Sequence, residues 1–163
     1  MRNLEKIGFG GGCHWCTEAV FQALNGVKLV EQGYIASTTP NESFSEGVIV
    51  TYKPDIISLE QLIEIHLQTH NATSNHSFRT KYRSAMYYYR EEQKNAFAKA
   101  KQELQATFSK PIITTALAFS RFKPSRESIQ DYYAKNPQAP FCSRYILPKL
   151  EFLNNAYNEL LDE

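Results

Sequence analysis

The residues best suited to chemistry lie near the start of the chain, in the stretch GFGGGCHWC over residues 8–16. Three consecutive glycines end at Cys13, and the only tryptophan, Trp15, follows two positions later. Glycine runs weaken regular structure, so they are expected where the backbone turns tightly or another group approaches closely. A cysteine at such a turn is a nucleophile, a metal ligand, half of a disulfide or an inert buried thiol.

The pattern around Cys13 predicts a strand, a glycine turn and then a helix. Lys6 to Phe9 has the character of a short strand, and apolar residues recur at helical spacing from Trp15 until Asn25-Gly26. Cys13 would then stand at the start of a helix, where free backbone N–H groups and the helix dipole favour a thiolate. We therefore predict that Cys13 is a nucleophile near neutral pH.

Cys13 and Cys16 form a C-x-x-C pair, which occurs both in redox-active dithiols and in halves of zinc sites. His66 and His70 are four residues apart, but the glutamate of a zinc protease is missing beside them, so no metal site is predicted. We expect these two histidines at a solvated helix end. For Cys16 three roles stay open: relaying a disulfide, resolving Cys13 directly, or packing as an apolar residue one turn into the helix.

The third cysteine, Cys142, ends the run DYYAKNPQAPFC over residues 131–142. The two prolines predict an extended surface arm. A cysteine on such an arm can reach back to an oxidised thiol and condense with it. The alternative is a surface cysteine without a role.

Short strands and helices alternate along the chain, which predicts an α/β (α+β) fold with helices packed on one sheet in two layers. Ser58 and Gln61 form a capping box before a helix with an apolar face. The predicted strands are Lys6–Phe9, Val27–Ile35, Val48–Tyr52, Ser84–Tyr89 and Ile112–Phe119, and the later helices are Glu91–Ala106, Ser125–Lys135 and Pro148–Leu161.

The 163 residues suit a single domain over 1–163 with a core of its own. A net charge of +1 gives no reason to expect a nucleic-acid partner. No apolar run is long enough to span a membrane, and the first residues lack the apolar region of a signal peptide, so we expect a cytoplasmic protein. Three cysteines are an odd number, which argues against a purely structural disulfide framework.

Together, these motifs resemble the methionine sulfoxide reductase A family, in order and over most of the chain. The segments that carry the resemblance are GGCHWCTEAVF at 11–21, GY at 33–34, EGVIVTYKP at 46–54, HNAT at 70–73, TKYRSAMYY at 80–88 and the segment ending at Cys142 with PKL at 148–150.

The resemblance implies a ferredoxin-like plait with a C-terminal arm and a thiol-dependent reduction of methionine-S-sulfoxide, free or in proteins, as in protein repair under oxidative stress. Cys13 would attack the sulfoxide sulfur while Glu46 protonates the oxygen, assisted by the hydroxyls of Tyr34 and Tyr82. Trp15 would line the pocket for the S-methyl group. Cys13 would be left as a sulfenic acid, which Cys142 converts to a disulfide. Thioredoxin would reduce this disulfide; a monomer with no metal or cofactor is implied.

Several positions depart from the family pattern close to the expected substrate pocket. His14 stands where the family has phenylalanine, Ser77 where it has aspartate, and Ile129 where it has histidine. The loop between Tyr34 and Glu46 is shortened and lacks a tyrosine of the family. His14 is therefore expected to be a polar or flat wall of the pocket. A thiol redox sensor, or a reductase of another sulfoxide, remains the alternative.

Overall fold

The structure is a computed structural model that describes residues 3–75, 79 and 81–161. Ser77, expected in the substrate pocket, lies outside the described residues. The strands are β1 (Glu5–Gly10), β2 (Val27–Ala36), β3 (Ser45–Tyr52), β4 (Ala85–Tyr88), β5 (Thr115–Ala118) and β6 (Arg121–Pro124). The helices are α1 (His14–Gln22), α2 (Leu59–Thr69), α3 (Glu91–Leu104), α4 (Tyr132–Lys135) and α5 (Leu147–Ala156).

The strands form one six-stranded sheet in the order β5-β4-β1-β3-β2-β6. The central four strands pair antiparallel with one another and, with α1 after β1 and α2 after β3, make the ferredoxin-like plait. The additional strand β5 pairs parallel to β4, and β6 pairs antiparallel to β2. The sequence-based expectation of a mixed α/β plait is therefore confirmed.

The helices cover one face of the sheet and enclose the main core. Phe9 on β1 stacks on Phe21 of α1 with ring centroids 4.8 Å apart, and both side chains are fully buried. Ile35 and Tyr87 belong to a smaller apolar cluster of their own, also without exposed surface. The Ser58–Gln61 capping box is present at the start of α2, as the sequence predicts. This packing fixes the end of β1, from which the glycine turn leaves.

The arm over residues 131–142, expected to be extended, is made of helical turns instead. The helices expected near residues 125–135 and 148–161 are present as shorter pieces. A 3-10 turn at Glu127–Ile129 precedes α4, and a π-helical turn at Cys142–Ile146 leads directly into α5. The physical reason is that α4 ends before Pro137, and Pro140 is the first residue of the helical turn that continues into Cys142–Ile146, where proline suits a helix.

Candidate active site

The glycine turn places Cys13 at the N-cap of α1, where its carbonyl accepts hydrogen bonds from the amides of Cys16 and Thr17. Gly11 has φ +147°, and a Cβ there would lie 2.5 Å from Cδ2 of His70. Both its backbone conformation and the neighbouring ring therefore require glycine. At Gly12, a Cβ would meet nothing within 4 Å. The close approach anticipated from the glycine run thus falls on Gly11.

The electrostatic environment of Cys13 favours its thiolate. A hydrogen bond from the Cys16 thiol is the main cause that lowers the pKa of Cys13, and backbone N–H groups of Trp15 and Cys16 add to it. Burial and the negative charge of Glu46 act in the opposite direction. The same pair raises the pKa of Cys16, so the shared proton resides on Cys16. All three cysteines are free thiols.

Glu46 faces the start of α1 from strand β3 and is buried. Its Oε1 accepts a hydrogen bond from the His14 amide at 3.3 Å and lies 3.5 Å from Nε2 of the His14 ring. The ammonium of Lys81 lies 3.6 Å from Oε2 and reaches the carboxylate from solvent. One carboxylate oxygen is thus shared with His14 and the other with a cation at the surface.

His14 is buried and does not face solvent as a simple pocket wall. Its Nδ1 lies 3.0 Å from the carbonyl oxygen of Gly33, and because a carbonyl only accepts, Nδ1 carries a proton. Nε2, the other ring nitrogen, is the atom that faces Glu46. His14, which stands where the family has phenylalanine, therefore forms a pair with the Glu46 carboxylate.

Tyr34 is a direct neighbour of Glu46, whereas Tyr82 is connected to Glu46 through Lys81, which contacts both. Tyr34 on β2 is directly opposite Glu46 in the β2–β3 register, so both side chains lie on the same face. Its ring is 5.3 Å from the His14 ring, edge to face. The ammonium of Lys81 lies over the Tyr82 ring, and its hydrogen bond with Tyr82 raises the pKa of Lys81.

The segment that carries Tyr82 is held against β3 by hydrogen bonds on both sides. The Glu46 amide donates to the Lys81 carbonyl at 3.0 Å, and the Arg83 amide donates to Oγ of Ser45 at 2.7 Å. The structure thus brings Cys13, Glu46, Tyr34 and Tyr82 around the same end of the sheet, where β1, β2 and β3 meet the start of α1.

Trp15 belongs to an aromatic cluster with the C-terminal arm. It stacks on Tyr132 with ring centroids 4.0 Å apart and nearly parallel planes, and the Phe141 ring stands edge-on at 5.1 Å. These rings pack with Cys13, Cys16 and other residues in one apolar cluster. The cluster joins the start of α1 to the arm that carries Cys142.

Cys142 is buried, contrary to the expectation of a thiol on a surface arm. Its Sγ donates to the carbonyl of Asn136 at 3.0 Å, and burial raises its pKa. The physical reason is that the arm folds back as helical turns and places Cys142 in the same apolar cluster as Cys16. The resting thiol is therefore protonated and close to α1 rather than free in solvent.

Glu18 anchors this arm to α1. The side chain has almost no exposed surface, and its two oxygens accept hydrogen bonds from the amides of Asp131 and Tyr132 and from Nε2 of Gln32, at 2.8–3.0 Å. Burial raises its pKa, and the three donors act against that change. Gln32 also donates to the carbonyl of Ile129, the residue that stands where the family has a histidine.

His66 and His70 are not at a solvated helix end, so this expectation is wrong. His66 is buried below Phe9 and its Nε2 donates to the carbonyl of Gly10 at 2.8 Å; the two histidine rings stack at 4.2 Å. His70 donates from Nδ1 to the His66 carbonyl, and its Nε2 accepts from Oγ of Ser84 at 2.8 Å. Their burial comes from β1, which folds across the end of α2.

Burial lowers the pKa of both histidines, that of His70 to about 4, and positive charges nearby add to the effect. Both rings are therefore neutral at physiological pH. They form the floor of the glycine turn, a role that the four-residue spacing does not reveal.

Arg79 and Lys149 were not identified from the sequence. The guanidinium of Arg79 donates to four backbone carbonyls, those of Ser74, Gly11, Tyr82 and Asn71, at 2.6–2.9 Å. Lys149 on α5 donates to the carbonyl of Thr69 and lines a cavity with Cys13 and Cys16. In the sequence, Arg79 is one of three cations at alternate positions, with Lys81 and Arg83, a pattern that by itself indicates only a polar face. Lys149 had no signal beyond its place in the PKL segment.

Among the described residues, no group of three or more histidine, cysteine or acidic side chains is placed to hold a metal ion. Within the same ranges, no helix is long and apolar enough to cross a membrane.

A cysteine at a helix N-cap, next to a buried carboxylate and two further thiols, defines a thiol-dependent enzyme. Residues 5–160 match the family model described as peptide methionine sulfoxide reductase. A peptide methionine sulfoxide reductase MsrA of Thermus thermophilus is 34% identical over 96% of this chain and 97% of its own length.

Solved structures give the same result. Mxr1 from Saccharomyces cerevisiae in reduced form superposes with a TM-score of 0.75 and 26% identity, over 83% of this chain and 87% of that chain. Mxr1 in complex with Trx2 superposes with a TM-score of 0.64 and 25% identity, over 79% of this chain and 84% of that chain. The chain belongs to the peptide methionine sulfoxide reductase family, and it is an oxidoreductase of that class.

Proposed function

We propose that this chain reduces methionine-S-sulfoxide, free or within proteins, to methionine, with Cys13 as the nucleophile and Glu46 as the acid. The single observation that carries the assignment of roles is the arrangement at the start of α1. There a thiol with a lowered pKa stands beside a buried carboxylate that bonds to the next residue's amide. Nucleophile and acid therefore approach the same sulfoxide from neighbouring positions.

In the reducing step, the Cys13 thiolate attacks the sulfoxide sulfur and Glu46, acting as the neutral carboxylic acid, gives its proton to the sulfoxide oxygen. The oxygen passes to Cys13, which becomes a sulfenic acid, and methionine leaves with its sulfur reduced by two electrons. The sulfoxide oxygen is a poor leaving group, so protonation is needed in the transition state. The hydroxyls of Tyr34 and Tyr82 are proposed to donate to the same oxygen as charge develops on it.

His14 takes a second role in this proposal besides lining the pocket. With Nδ1 committed to the Gly33 carbonyl, Nε2 is left facing Oε1 of Glu46 at 3.5 Å. A proton that Nε2 first takes up from water can therefore pass on to the carboxylate. We assign His14 to returning a proton to Glu46 after each turnover.

The substrate's S-methyl group is assigned to the apolar side of the turn. Trp15, with Tyr132 and Phe141 packed on it, supplies a rigid apolar wall next to Cys13. Ser77 is proposed as a further substrate contact because of its place in the family motif.

Cys142 and Cys16 are both proposed as resolving thiols. Either attacks the sulfenic acid on Cys13, a disulfide forms and water leaves. Both lie in the same apolar cluster as Cys13, which supports either pairing. Thioredoxin is proposed as the reductant of the disulfide, by analogy with Mxr1, which has been crystallised with Trx2. We further propose a single domain over residues 1–163 that acts as a monomer in the cytoplasm.

The proposed function is tested by turnover of racemic methionine sulfoxide with dithiothreitol, followed by separation of the remaining epimers. The proposal predicts loss of the S epimer only. Cys13→Ser should abolish turnover, because serine is not nucleophilic enough at neutral pH. Glu46→Gln should lower kcat/KM about 10²-fold or more, since the acid is lost. Full activity in Cys13→Ser would contradict the proposal.

His14→Phe separates the two roles of His14, because phenylalanine keeps a flat ring but has no nitrogen. If His14 returns protons, kcat should fall while KM changes little. Reversible disulfide formation with peroxide, without consumption of either epimer, would instead indicate a thiol redox sensor.

A further inference from the structure

We propose that Lys149 is a positioning residue for disulfide formation, because its ammonium stabilises the thiolate of Cys16 as that sulfur attacks oxidised Cys13. The inference rests on the proposed function, since it concerns the fate of the sulfenic acid on Cys13. It assigns a task to a side chain on α5, which the proposed chemistry at Glu46 does not use.

A cavity of about 190 Å³ lies at the start of α1, between that helix, the end of α2 and α5. Cys13, Cys16 and, from α5, Lys149 all contribute to its lining. The lysine is fixed there because its ammonium donates to the carbonyl of Thr69, the last residue of α2. This carbonyl is at the negative end of a helix, which favours a cation.

Charge couples Lys149 to both thiols. Its positive charge lowers the pKa of Cys16, against the larger effects of the hydrogen bond to Cys13, burial and the negative charge of Cys13. Conversely, burial lowers the pKa of Lys149, and the charges of Cys16 and Cys13 raise it. The ammonium of Lys149 therefore attracts whichever of the two sulfurs carries the negative charge.

Before turnover that charge resides on Cys13, because Cys16 holds the shared proton and donates it in a hydrogen bond. Once Cys13 is a neutral sulfenic acid, the hydrogen bond to a thiolate and the negative charge of Cys13 are both gone. These were the first and third causes that kept Cys16 protonated. The attraction of Lys149 remains, so the Cys16 thiol ionises more easily than it did before Cys13 was oxidised.

The attack of Cys16 on oxidised Cys13 requires no further oxidant or reductant. The Cys16 thiolate forms a bond to Cys13 Sγ, the S–O bond of the sulfenic acid breaks, and its electron pair leaves with the hydroxyl group. The hydroxyl takes up the proton that Cys16 released and departs as water. Cys16 loses one electron to Cys13, and both sulfurs end in a disulfide. Lys149 keeps its own proton throughout.

The backbone suits this bond. The Cys16 amide donates to the Cys13 carbonyl at 3.1 Å, which closes the first turn of α1. Residues three apart on a helical turn have Cβ atoms about 5–6 Å apart, so only a small adjustment brings them to disulfide distance.

Within the described part of the chain, the other titratable groups around Cys16 do not supply a positive charge. Cys142 carries a protonated thiol, since burial raises its pKa. His66 and His70 are neutral, and His66 Nδ1 has no partner among the residues described in the structure. Because Nε2 of His66 donates to the Gly10 carbonyl, Nδ1 presents only a lone pair. Of the described side chains that line this cavity, Lys149 alone is a lysine or arginine.

The test uses the full chain with Cys142→Ser, in which Cys16 is the only thiol left to resolve Cys13. Reduced protein is mixed with one equivalent of methionine-S-sulfoxide, without reductant, and quenched with an alkylating reagent at a series of times. Methionine is quantified, and the Cys13–Cys16 disulfide is mapped by mass spectrometry. The two readouts separate sulfoxide reduction from disulfide formation.

We expect Lys149→Met to leave methionine formation at one equivalent per chain while slowing disulfide formation by about tenfold or more near pH 7. Its rate profile should move to higher pH, because Cys16 then ionises without a nearby cation. Lys149→Arg keeps the charge and should restore most of the rate.

Lys101→Met is the matched control. Lys101 also donates to a backbone carbonyl, that of Thr114, but it does not line the cavity. Its loss should leave disulfide formation unchanged. Equal rates and equal pH profiles for the parent and Lys149→Met would overturn the inference, as would a parent that forms methionine but no Cys13–Cys16 disulfide. Absence of methionine in the parent would instead contradict the proposed function.

Discussion

At the scale of single residues, the reactivity of Cys13 depends on a neighbour rather than on the helix terminus alone. The sequence identified Cys13 from its glycines and its expected place before a helix, and the structure confirms that place. It did not reveal that the Cys16 thiol is the main source of the lowered pKa of Cys13. A C-x-x-C spacing permits this contact, but only the folded turn decides which sulfur holds the proton.

Cys16→Ala should therefore raise the pKa of Cys13, because the strongest hydrogen bond to its thiolate is lost. In a Cys142→Ser background, Cys13 is then the only cysteine, and its rate of alkylation by iodoacetamide can be followed against pH. The midpoint should move to higher pH and the rate at pH 7 should fall. Cys16→Ser, which keeps a hydroxyl donor, should show a smaller change. An unchanged midpoint in Cys16→Ala would contradict this account.

Gly11 and Gly12 provide a matched pair, since only the first has a positive φ and a ring against it. Gly11→Ala should cost about 2 kcal/mol or more of unfolding free energy, from the left-handed backbone and the contact with His70. Gly12→Ala should change the free energy by less than about 1 kcal/mol. Denaturant unfolding monitored by circular dichroism measures both. Equal losses would show that the turn does not depend on Gly11.

At the scale of secondary-structure elements, local signals predicted more than long-range ones. The Ser58–Gln61 capping box, the glycine stop after α1 and the central strands were all visible in the sequence. β6 was not predicted because the strand has only four residues and these are largely exposed, so they show no apolar pattern. The arm was expected to be extended because proline disfavours a helix interior, yet its prolines stand beside helical turns.

The burial of His66 and His70 could not be predicted from α2 alone. They occupy the end of the helix, and what covers them is β1 and the glycine turn, more than fifty residues earlier in the chain. Arg79 has the same difficulty, because its four carbonyl partners belong to three separate segments. Contacts that join distant segments leave no periodic trace in the sequence.

The arm is held by Glu18, so this residue should influence how Cys142 reaches Cys13. In Glu18→Gln, the amide cannot accept the hydrogen bonds of both backbone N–H groups and that of Gln32. The arm should loosen, and unfolding free energy should fall by about 1–3 kcal/mol. In a Cys16→Ser background, the rate of the Cys13–Cys142 disulfide after one equivalent of sulfoxide should change as well.

Glu127→Gln is the control for the arm, because Glu127 is exposed and, among the described residues, its hydrogen bonds involve only its backbone carbonyl, which accepts from Nζ of Lys135 and from the Gln130 amide. It should leave both stability and disulfide rate unchanged. If Glu18→Gln behaved in the same way, the arm would be held chiefly by the aromatic contacts of Trp15.

At the scale of the whole molecule, the neutral histidines below the glycine turn link stability to pH. The pKa of His70 is lowered to about 4 and that of His66 is lowered well below its usual value. In the unfolded chain both titrate near 6.5. Between these values the unfolded chain binds more protons than the folded one, so stability falls as pH decreases.

We therefore expect the free energy of unfolding to decrease from about pH 6.5 towards pH 4, with His70 contributing at most roughly 3 kcal/mol. His66→Phe keeps an aromatic ring against Phe9 but removes one titrating group. The difference in unfolding free energy between pH 7 and pH 4.5 should then be smaller than in the parent. Urea unfolding at a series of pH values provides the measurement, and an identical pH dependence would contradict the assignment.

The central claim is that Cys13 takes the oxygen from the sulfoxide and that the other two cysteines act only afterwards. The most direct measurement is a single turnover by Cys16→Ser/Cys142→Ser with excess racemic methionine sulfoxide and dimedone, and without reductant. The account predicts one equivalent of methionine per chain, from the S epimer, and a dimedone adduct on Cys13. No methionine, or an adduct absent from Cys13, would contradict it.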